Sequence, residues 1–239
     1  MTVDARPKYI QLAESLTGRI ANKEWTPDIA LPSEMSLARE YGVSQGTMRK
    51  AIDQLVAQHV VSRQQGRGTF VATHDSGRAL RHYFHIVSDT GKRELPVCRV
   101  VQRDSAVASE TEADRLRVRV GAQVLRFLRV RSLAASPIIT ERITIPVSRF
   151  PNIRFKPLDD LPSLLYEHYS KQYGVIVTEA IEKLRGVAAD AFDVRHLGLT
   201  RGQPVLEVDR IALDILKKPV EWRVTHCNTT THHYLNRFS

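Results

Sequence analysis

The chain has 239 residues, of which 42% are hydrophobic, enough to bury a core in one large domain or two smaller ones. No run of about 18 apolar residues exists and "MTVDARPKYI" has no apolar leader stretch, so neither a membrane span nor a secretory signal is expected. The formal net charge of +9 favours an anionic partner such as nucleic acid, while two cysteines, Cys98 and Cys227, exclude a disulfide framework and fit a reducing cytoplasm.

Residues 1–72 read as three helices and a hairpin. Tyr9, Ala13, Leu16 and Ile20 recur at helical spacing and make one apolar face. "WTPDIALPS" interrupts that pattern with two prolines. Ser33 is an N-cap type, Glu34 follows in the first turn, Leu37, Ala38 and Tyr41 face inward, and Gly42 fits the position just past a helix end. In "YGVSQGTMRKAID", Tyr41 to Asp53, Ser44 stands where an N-cap belongs. Met48, Ala51, Ile52, Leu55 and Val56 then repeat at i, i+3, i+4, i+7 and i+8 as a buried stripe. Gln45, Thr47, Arg49, Lys50, Asp53 and Gln54 fall mostly on the exposed side. "VVSR", "QQGRG" and "TFVA" make a β-hairpin with glycines where positive φ is easiest.

"THDSGRA", residues 73–79, is small, polar and glycine-bearing, and reads as a linker. Beyond it the pattern changes to alternating strands with a few helices. "LRVRVGAQVLRFLRVR" from Leu116 resembles "LGLTRGQPVLEVDRIA" from Leu197 at an offset of 81, with Leu116, Gly121, Val124, Leu125 and Arg129 matching Leu197, Gly202, Val205, Leu206 and Arg210. Each copy reads as a helix end, a glycine turn and a strand. Each strand leads through a proline-containing turn, "AASP" or "LKKP", into a second strand. Two similar hairpins imply an antiparallel sheet carrying helices, an α+β architecture.

Helix, helix, tight turn, helix, hairpin is the order of a winged helix-turn-helix, whose third helix enters the major groove while the hairpin tip approaches the backbone or minor groove. The tip here is Gln64 to Gly68 with one cation, Arg67, which suits a narrow electronegative groove. The stretch "LPSEMSLAREYGVSQGTMRKAIDQLVAQHVVSRQQGRGTFVA" is similar to the winged helix of GntR-type bacterial transcription regulators. The match lies in "LPSE", "LA", "YGVS", "TMRKA" and the ending "QGRGTFV". From about residue 80 the chain resembles the UTRA effector domain of the HutC subfamily, through "RVRS", "ERITIP", "RFPNI", "DDLPSLLY", "YG" and "PVEW" in that order. The resemblance implies a DNA-binding domain over 1–72, a linker over 73–79 and a chorismate lyase-like UTRA domain over 80–239 for effector binding and dimerisation. It implies a homodimer on a near-palindromic double-stranded operator, controlled by a small molecule. A repressor is expected; an activator, or an enzyme-like ligand-binding domain, is the alternative.

Carried over residue by residue, the resemblance assigns Ser33, Glu34, Ser44, Gln45, Thr47, Arg49, Lys50, Arg67 and Gly68 to DNA. Ser44 also reads as a plain cap, and Glu34 as favourable charge at a helix start. Met35 replaces the arginine that usually follows "LPSE", and Gln45 and Gly46 replace the usual arginine and its neighbour. Arginine most often reads guanine and glutamine adenine, so the operator is expected to depart from the common one.

The second half carries 26 Lys and Arg against 19 Asp and Glu, more of the basic excess than the first. On alternation, Leu125, Phe127, Arg129 and Arg131 share a face, as do Ile139, Glu141, Ile143 and Ile145. Charges on a half-buried face need partners. Arg129 and Arg131 either fork an anionic effector or supply a cross-strand Arg131–Glu141 pair across a turn at Ala134 to Pro137. Ser163 reads as a helix start that either caps or helps bind an anion. Tyr166 reads as core. Glu221, Arg223 and Thr225 share a face of the last long strand, which the resemblance places at the effector site. His226, Cys227, His232 and His233 cluster and His82 and His85 lie three apart, yet no metal-ligand spacing, phosphate loop or nucleophile motif is present. No metal, no cofactor and no enzymatic activity are expected.

Overall fold

Helical apolar spacing at the start of the chain produces the expected trio. In the computed structural model, which describes residues 6–72, 84–91, 95–153 and 162–236, α1 spans Lys8–Ala21 and buries Leu12, Ala13, Leu16 and Ile20. Helix α2 is Glu34–Glu40, with the Ser33 hydroxyl accepting from the Ser36 N–H at 3.1 Å. Helix α3 is Gln45–Ala57, and Ser44 accepts in the same way from the Thr47 N–H at 3.1 Å. Gly42 makes the turn between them at φ 63°. Strands β1 (Val61–Gln64) and β2 (Gly68–Val71) pair with Gln64 opposite Gly68, leaving a tip of Gln65, Gly66 and Arg67. The chain ahead of α2 adds a further rung, with the Leu31 N–H donating to the Thr69 carbonyl at 2.8 Å. The expected linker, residues 73–79, lies outside the described residues, as does His82.

The remainder is built on one antiparallel sheet. Its strands are β4 (Val97–Val107), β5 (Gln123–Leu133), β6 (Ser136–Pro146), β7 (Val177–Ala188), β8 (Pro204–Asp214) and β9 (Pro219–Cys227), in the order β4-β5-β6-β9-β8-β7. A short pair, β3 (Ile86–Ser88) with β10 (His232–Tyr234), stands apart from it. The internal repeat is real in space. Helix α4 (Glu110–Leu116) leads through Gly121 into the β5–β6 hairpin, and α6 (Ala191–Leu197) leads through Gly202 into β8–β9. Both helices start in reciprocal capping boxes, Ser109 with Glu112 and Asp190 with Asp193, again 81 residues apart. The β5–β6 turn is tighter than expected. Leu133 pairs with Ser136, so Ala134 and Ala135 alone make the turn at φ 46° and 66°, and Pro137 belongs to the strand.

The two sheet faces are covered differently. Leu125, Phe127, Ile143 and Ile145 pack with Phe150, Tyr169 and Tyr173, placing helix α5 (Leu165–Tyr173) over one face. The other face carries α4 beside Val124 and α6 beside Val130. Ile176, just ahead of β7, and Ile215, just past β8, join the N-terminal apolar cluster with Ile20, Trp25 and Val71.

Candidate functional site: a DNA-reading face and a buried arginine pocket

Serine caps aim the first turn of α3 outward. Ser44 Oγ also lies 2.8 Å from Thr47 Oγ1, which locks both hydroxyls at the helix tip. Gln45, Arg49 and Lys50 are exposed beside them and Thr47 is half-buried. A Cβ at Gly46 would meet only Ser44 Oγ at 4.0 Å, so nothing inside the protein requires glycine there. At the wing, Gly68 has φ 117°, and the Arg67 guanidinium lies 5.6 Å from the Phe70 ring centre. Met35 is 59% exposed at the start of α2.

Glu34 is committed within the protein. Its Oε2 accepts from Arg49 Nε at 2.9 Å and its Oε1 from Arg63 Nη2 at 2.7 Å, while Arg63 Nη1 lies 2.6 Å from Asp53 Oδ1. Arg63 was not foreseen from sequence, because an arginine on a short edge strand carries no periodic signal.

Across the sheet, residues of the α5 face line up in rows: Glu182, Arg210, Arg223 and Ile143 in one, Arg129, Glu141, Thr225 and Val208 in the next. Arg129, rather than Arg131, is therefore the partner directly opposite Glu141. The register correction does not free Arg131, because Glu141 takes both. Arg129 Nε donates to Oε2 at 2.9 Å, Arg131 Nη1 to Oε1 at 3.2 Å and Arg223 Nη1 to Oε1 at 2.9 Å. Glu221, fully buried, accepts from Arg223 Nε at 2.9 Å, Tyr166 at 3.2 Å and Tyr169 at 2.8 Å. Tyr166 is thus core and network member together.

Burial by itself would raise the Glu141 carboxyl, but the guanidiniums of Arg129, Arg223 and Arg131 hold it well below the usual carboxylate range. Burial pulls Arg131 below its ordinary value. Arg223 is also desolvated, yet Glu141 and Glu221 raise it well above the ordinary guanidinium value. Arg131 Nε is buried with no partner among the described residues, and its guanidinium stacks 4.9 Å from the Phe84 ring centre.

Two small chambers open on this cluster. One, of about 40 Å³, is lined by Ser163, Leu165, Tyr166 and Leu95. The other, of about 30 Å³, is lined by Glu141, Thr225, His85 and Tyr234. Phe84, Arg131, Arg210 and Arg223 line both and form the partition. Arg129 lines neither chamber. Ser163 reaches the pocket but does not start a helix: the N-cap is Leu164, without a side-chain bond, so the anion-binding cap expected at Ser163 is absent. Arg210 and Phe84 were missed. The repeat already matched Arg210 to Arg129, and that was the available signal; Phe84 has none. A larger crevice of about 440 Å³ lies where Lys23 and Trp25 meet Tyr173 and Gly174, and it contains no arginine.

Among the described residues the histidines the sequence singled out do not form a cluster. His233 Nδ1 lies 3.1 Å from Asp89, and His232 Nδ1 2.9 Å from the Thr231 hydroxyl. His226 points to the opposite sheet face, with Nδ1 2.7 Å from Asp193 and Nε2 3.1 Å from Glu207. Asp190, Asp193 and His226 bring ligand atoms within 4.8 Å of one another, but both aspartates are already spent in the α6 capping box. Among the described residues no helix is long and apolar enough to cross a membrane.

Two family models match the chain. The family model for bacterial regulatory proteins of the gntR family matches residues 8–71, and that for the UTRA domain matches residues 92–233. The chain is 30% identical over 217 residues to the uncharacterized HTH-type transcriptional regulator YurK of Bacillus subtilis, covering 90% of this chain and 88% of YurK. It is 29% identical to the HTH-type transcriptional repressor NagR of the same organism, covering 85% of this chain and 83% of NagR. Among solved structures, the ligand-binding domain of a protein assigned to the GntR family from Bordetella bronchiseptica superposes with TM-score 0.59 at 28% identity, over 65% of this chain and 96% of that one. PhnF from Mycobacterium smegmatis shares the fold with TM-score 0.57 at 21% identity, over 95% of this chain and 98% of that one. The curated relatives are named as transcription regulators. The chain belongs to the GntR family: it is a DNA-binding transcription regulator with a winged helix-turn-helix ahead of a UTRA effector domain.

Proposed function

We propose that the protein is a cytoplasmic homodimeric repressor that grips a near-palindromic operator and responds to a small anion bound between Arg131, Arg210 and Arg223. The observation that carries the effector reading is the charge pattern around Glu141. Three buried guanidiniums share that one carboxylate, Arg223 bonding Glu221 as well, and Arg131, which lines both chambers, has a buried Nε without a partner among the described residues. An arginine fork so placed suits a carboxylate or phosphate. Thr225 and Ser163 supply hydroxyls at the chamber walls, while Glu141 and Glu221 hold the arginines in place. Repression is supported by the name of NagR, and a dimer by the way helix-turn-helix proteins span two half-sites. The domain limits 1–72, 73–79 and 80–239 belong to this proposal, as do the DNA contacts of Ser33, Ser44, Gln45, Thr47, Arg49, Lys50, Arg67 and Gly68.

Chambers of about 40 and 30 Å³ are far below the roughly 300 Å³ of an ordinary ligand site, so binding requires the Phe84 and arginine partition to move. The response has a physical route. Helix α5 holds Glu221 through Tyr166 and Tyr169, and its C-terminal end meets Lys23 of the DNA-binding half at Gly174. An effector that favours one setting of α5 biases the other half by its difference in affinity. The test is a melting-temperature screen of the full-length protein against acetate, benzoate, inorganic phosphate and sugar phosphates. A gel shift on a duplex selected from a randomised library accompanies it. At least one anion should raise the melting temperature and change operator affinity, and Arg131→Ala should abolish both. Equal responses of Arg131→Ala and the parent, or no response to any anion, sink the proposal.

A further inference from the structure

Glu34 is the residue on the DNA-reading face whose geometry does not fit a DNA contact. A carboxylate facing phosphates is repelled, yet this one sits at the first turn of α2, beside the recognition helix. Its two oxygens are divided between elements: Oε2 takes Arg49 Nε of α3 at 2.9 Å and Oε1 takes Arg63 Nη2 of β1 at 2.7 Å. Arg63 then returns to α3 through Asp53, 2.6 Å away and one turn beyond Arg49. Charges alternate along this chain of four side chains, which ties α2, α3 and the wing strand together. Glu34 is the better buried side of the contact, at 21% exposure against 59% for Arg49.

We infer that Glu34 is a positioning residue that sets which edge of Arg49 meets DNA, and that Arg49 so held reads a guanine. A guanidinium offers two forked edges, one made by Nε with one Nη and one made by the two Nη groups. Glu34 occupies Nε–H, so the first edge is turned back toward α2. With Nε so taken and the side chain 59% exposed, the terminal Nη edge is the one left for DNA, and its paired N–H groups match guanine O6 and N7. An unheld arginine would also satisfy itself on phosphate, which carries no sequence information. Glu34 therefore contributes to specificity without touching DNA. The inference rests on α3 being the recognition helix.

The experiment selects duplexes from a randomised library with the full-length protein and with Glu34→Ala, Arg49→Ala and Arg63→Ala, each checked for an unchanged melting transition. The parent should enrich guanine at one symmetric pair of positions by about 10-fold or more. Arg49→Ala and Glu34→Ala should both flatten that position and leave the others. Arg63→Ala, which removes the wing arm but keeps the Glu34–Arg49 bond, should retain it. If Arg49→Ala weakens all sequences evenly, Arg49 is a phosphate contact and the inference falls while the recognition helix stands. If Glu34→Ala leaves the guanine preference intact, Glu34 does not position Arg49. If Arg49→Ala changes neither affinity nor preference, or the parent selects no sequence, the placement of α3 in the groove falls too.

Discussion

Tyr169 donates its hydroxyl proton to Glu221 Oε2 across 2.8 Å, while Arg223 Nε holds Oε1 of the same carboxylate at 2.9 Å. Helix α5 is thereby fastened to the sheet by a charge-assisted bond in a fully buried place, where such bonds are strongest. Tyr169→Phe keeps the ring packed on Phe150 and removes only the hydroxyl. A loss of about 1.5–3 kcal/mol in chemical denaturation is expected, the usual range for a hydrogen bond to a charged group.

Arg129 and Glu141 should behave as a structural pair. Both side chains are almost wholly buried; removing Glu141 strips three guanidiniums of their shared acceptor, and removing Arg129 breaks a buried pair and empties the space its side chain fills. Glu141→Ala and Arg129→Ala should each cost about 3–5 kcal/mol in urea unfolding. Arg131→Ala, at the chamber wall, should cost less and act on ligand response instead. An Arg129→Ala protein as stable as its parent would show that the buried cluster tolerates losing this guanidinium.

His226 predicts a stability change near neutral pH. Burial by itself would lower the imidazole, but Asp193 and Glu207 raise it above its ordinary value, with Arg142 opposing them. A folded-state value above the unfolded one stabilises fully below the unfolded value, near 6.5, and that contribution is lost as pH rises through the raised value. Asp193 is desolvated, yet His226, Thr140 and the Asp190 N–H bring it down to about 2, so its share is present above its unfolded value and lost only as pH falls toward about 2. Melting temperature should therefore decline as pH rises above neutrality, and His226→Gln should flatten that decline. An identical slope in the variant would remove His226 as its cause.

The cap at Ser44 gives a simpler expectation. Ser44→Ala removes the acceptor for the Thr47 N–H and should lower stability by about 1 kcal/mol, read in thermal or urea melts. Asp at the same position should restore most of it.

How much was legible in sequence follows from where the physics is local. The helices of the first 72 residues announce themselves through i, i+3, i+4 spacing and Ser caps, and the structure keeps Ser33 and Ser44 in those roles. The repeat at offset 81 foretold two helix–turn–hairpin units, down to Gly121 and Gly202. Register was less readable. Strand alternation put Arg129, Arg131 and Glu141 on one face, but the two-residue turn at Ala134 and Ala135 together with a one-residue register shift between Arg131 and Ser132 decided that Arg129 stands opposite Glu141. Ser163 misled because a serine before an apolar run resembles a cap wherever the helix actually begins. Glu34 with Arg63, and Phe84 with Arg131, join residues far apart in the chain, and no spacing rule reaches that distance.

Ile176 and Ile215 follow the DNA-binding segment in the chain by more than a hundred residues, yet they help fill the same apolar cluster as Ile20, Trp25 and Val71. The first 72 residues thus borrow part of their interior from the other half. Cut away, or grafted onto a foreign sensor, they would leave an open apolar seam and melt earlier than within the whole chain, which itself should unfold as a single cooperative unit. Exchange of sensors between such regulators is then limited less by the linker than by what must cover that seam.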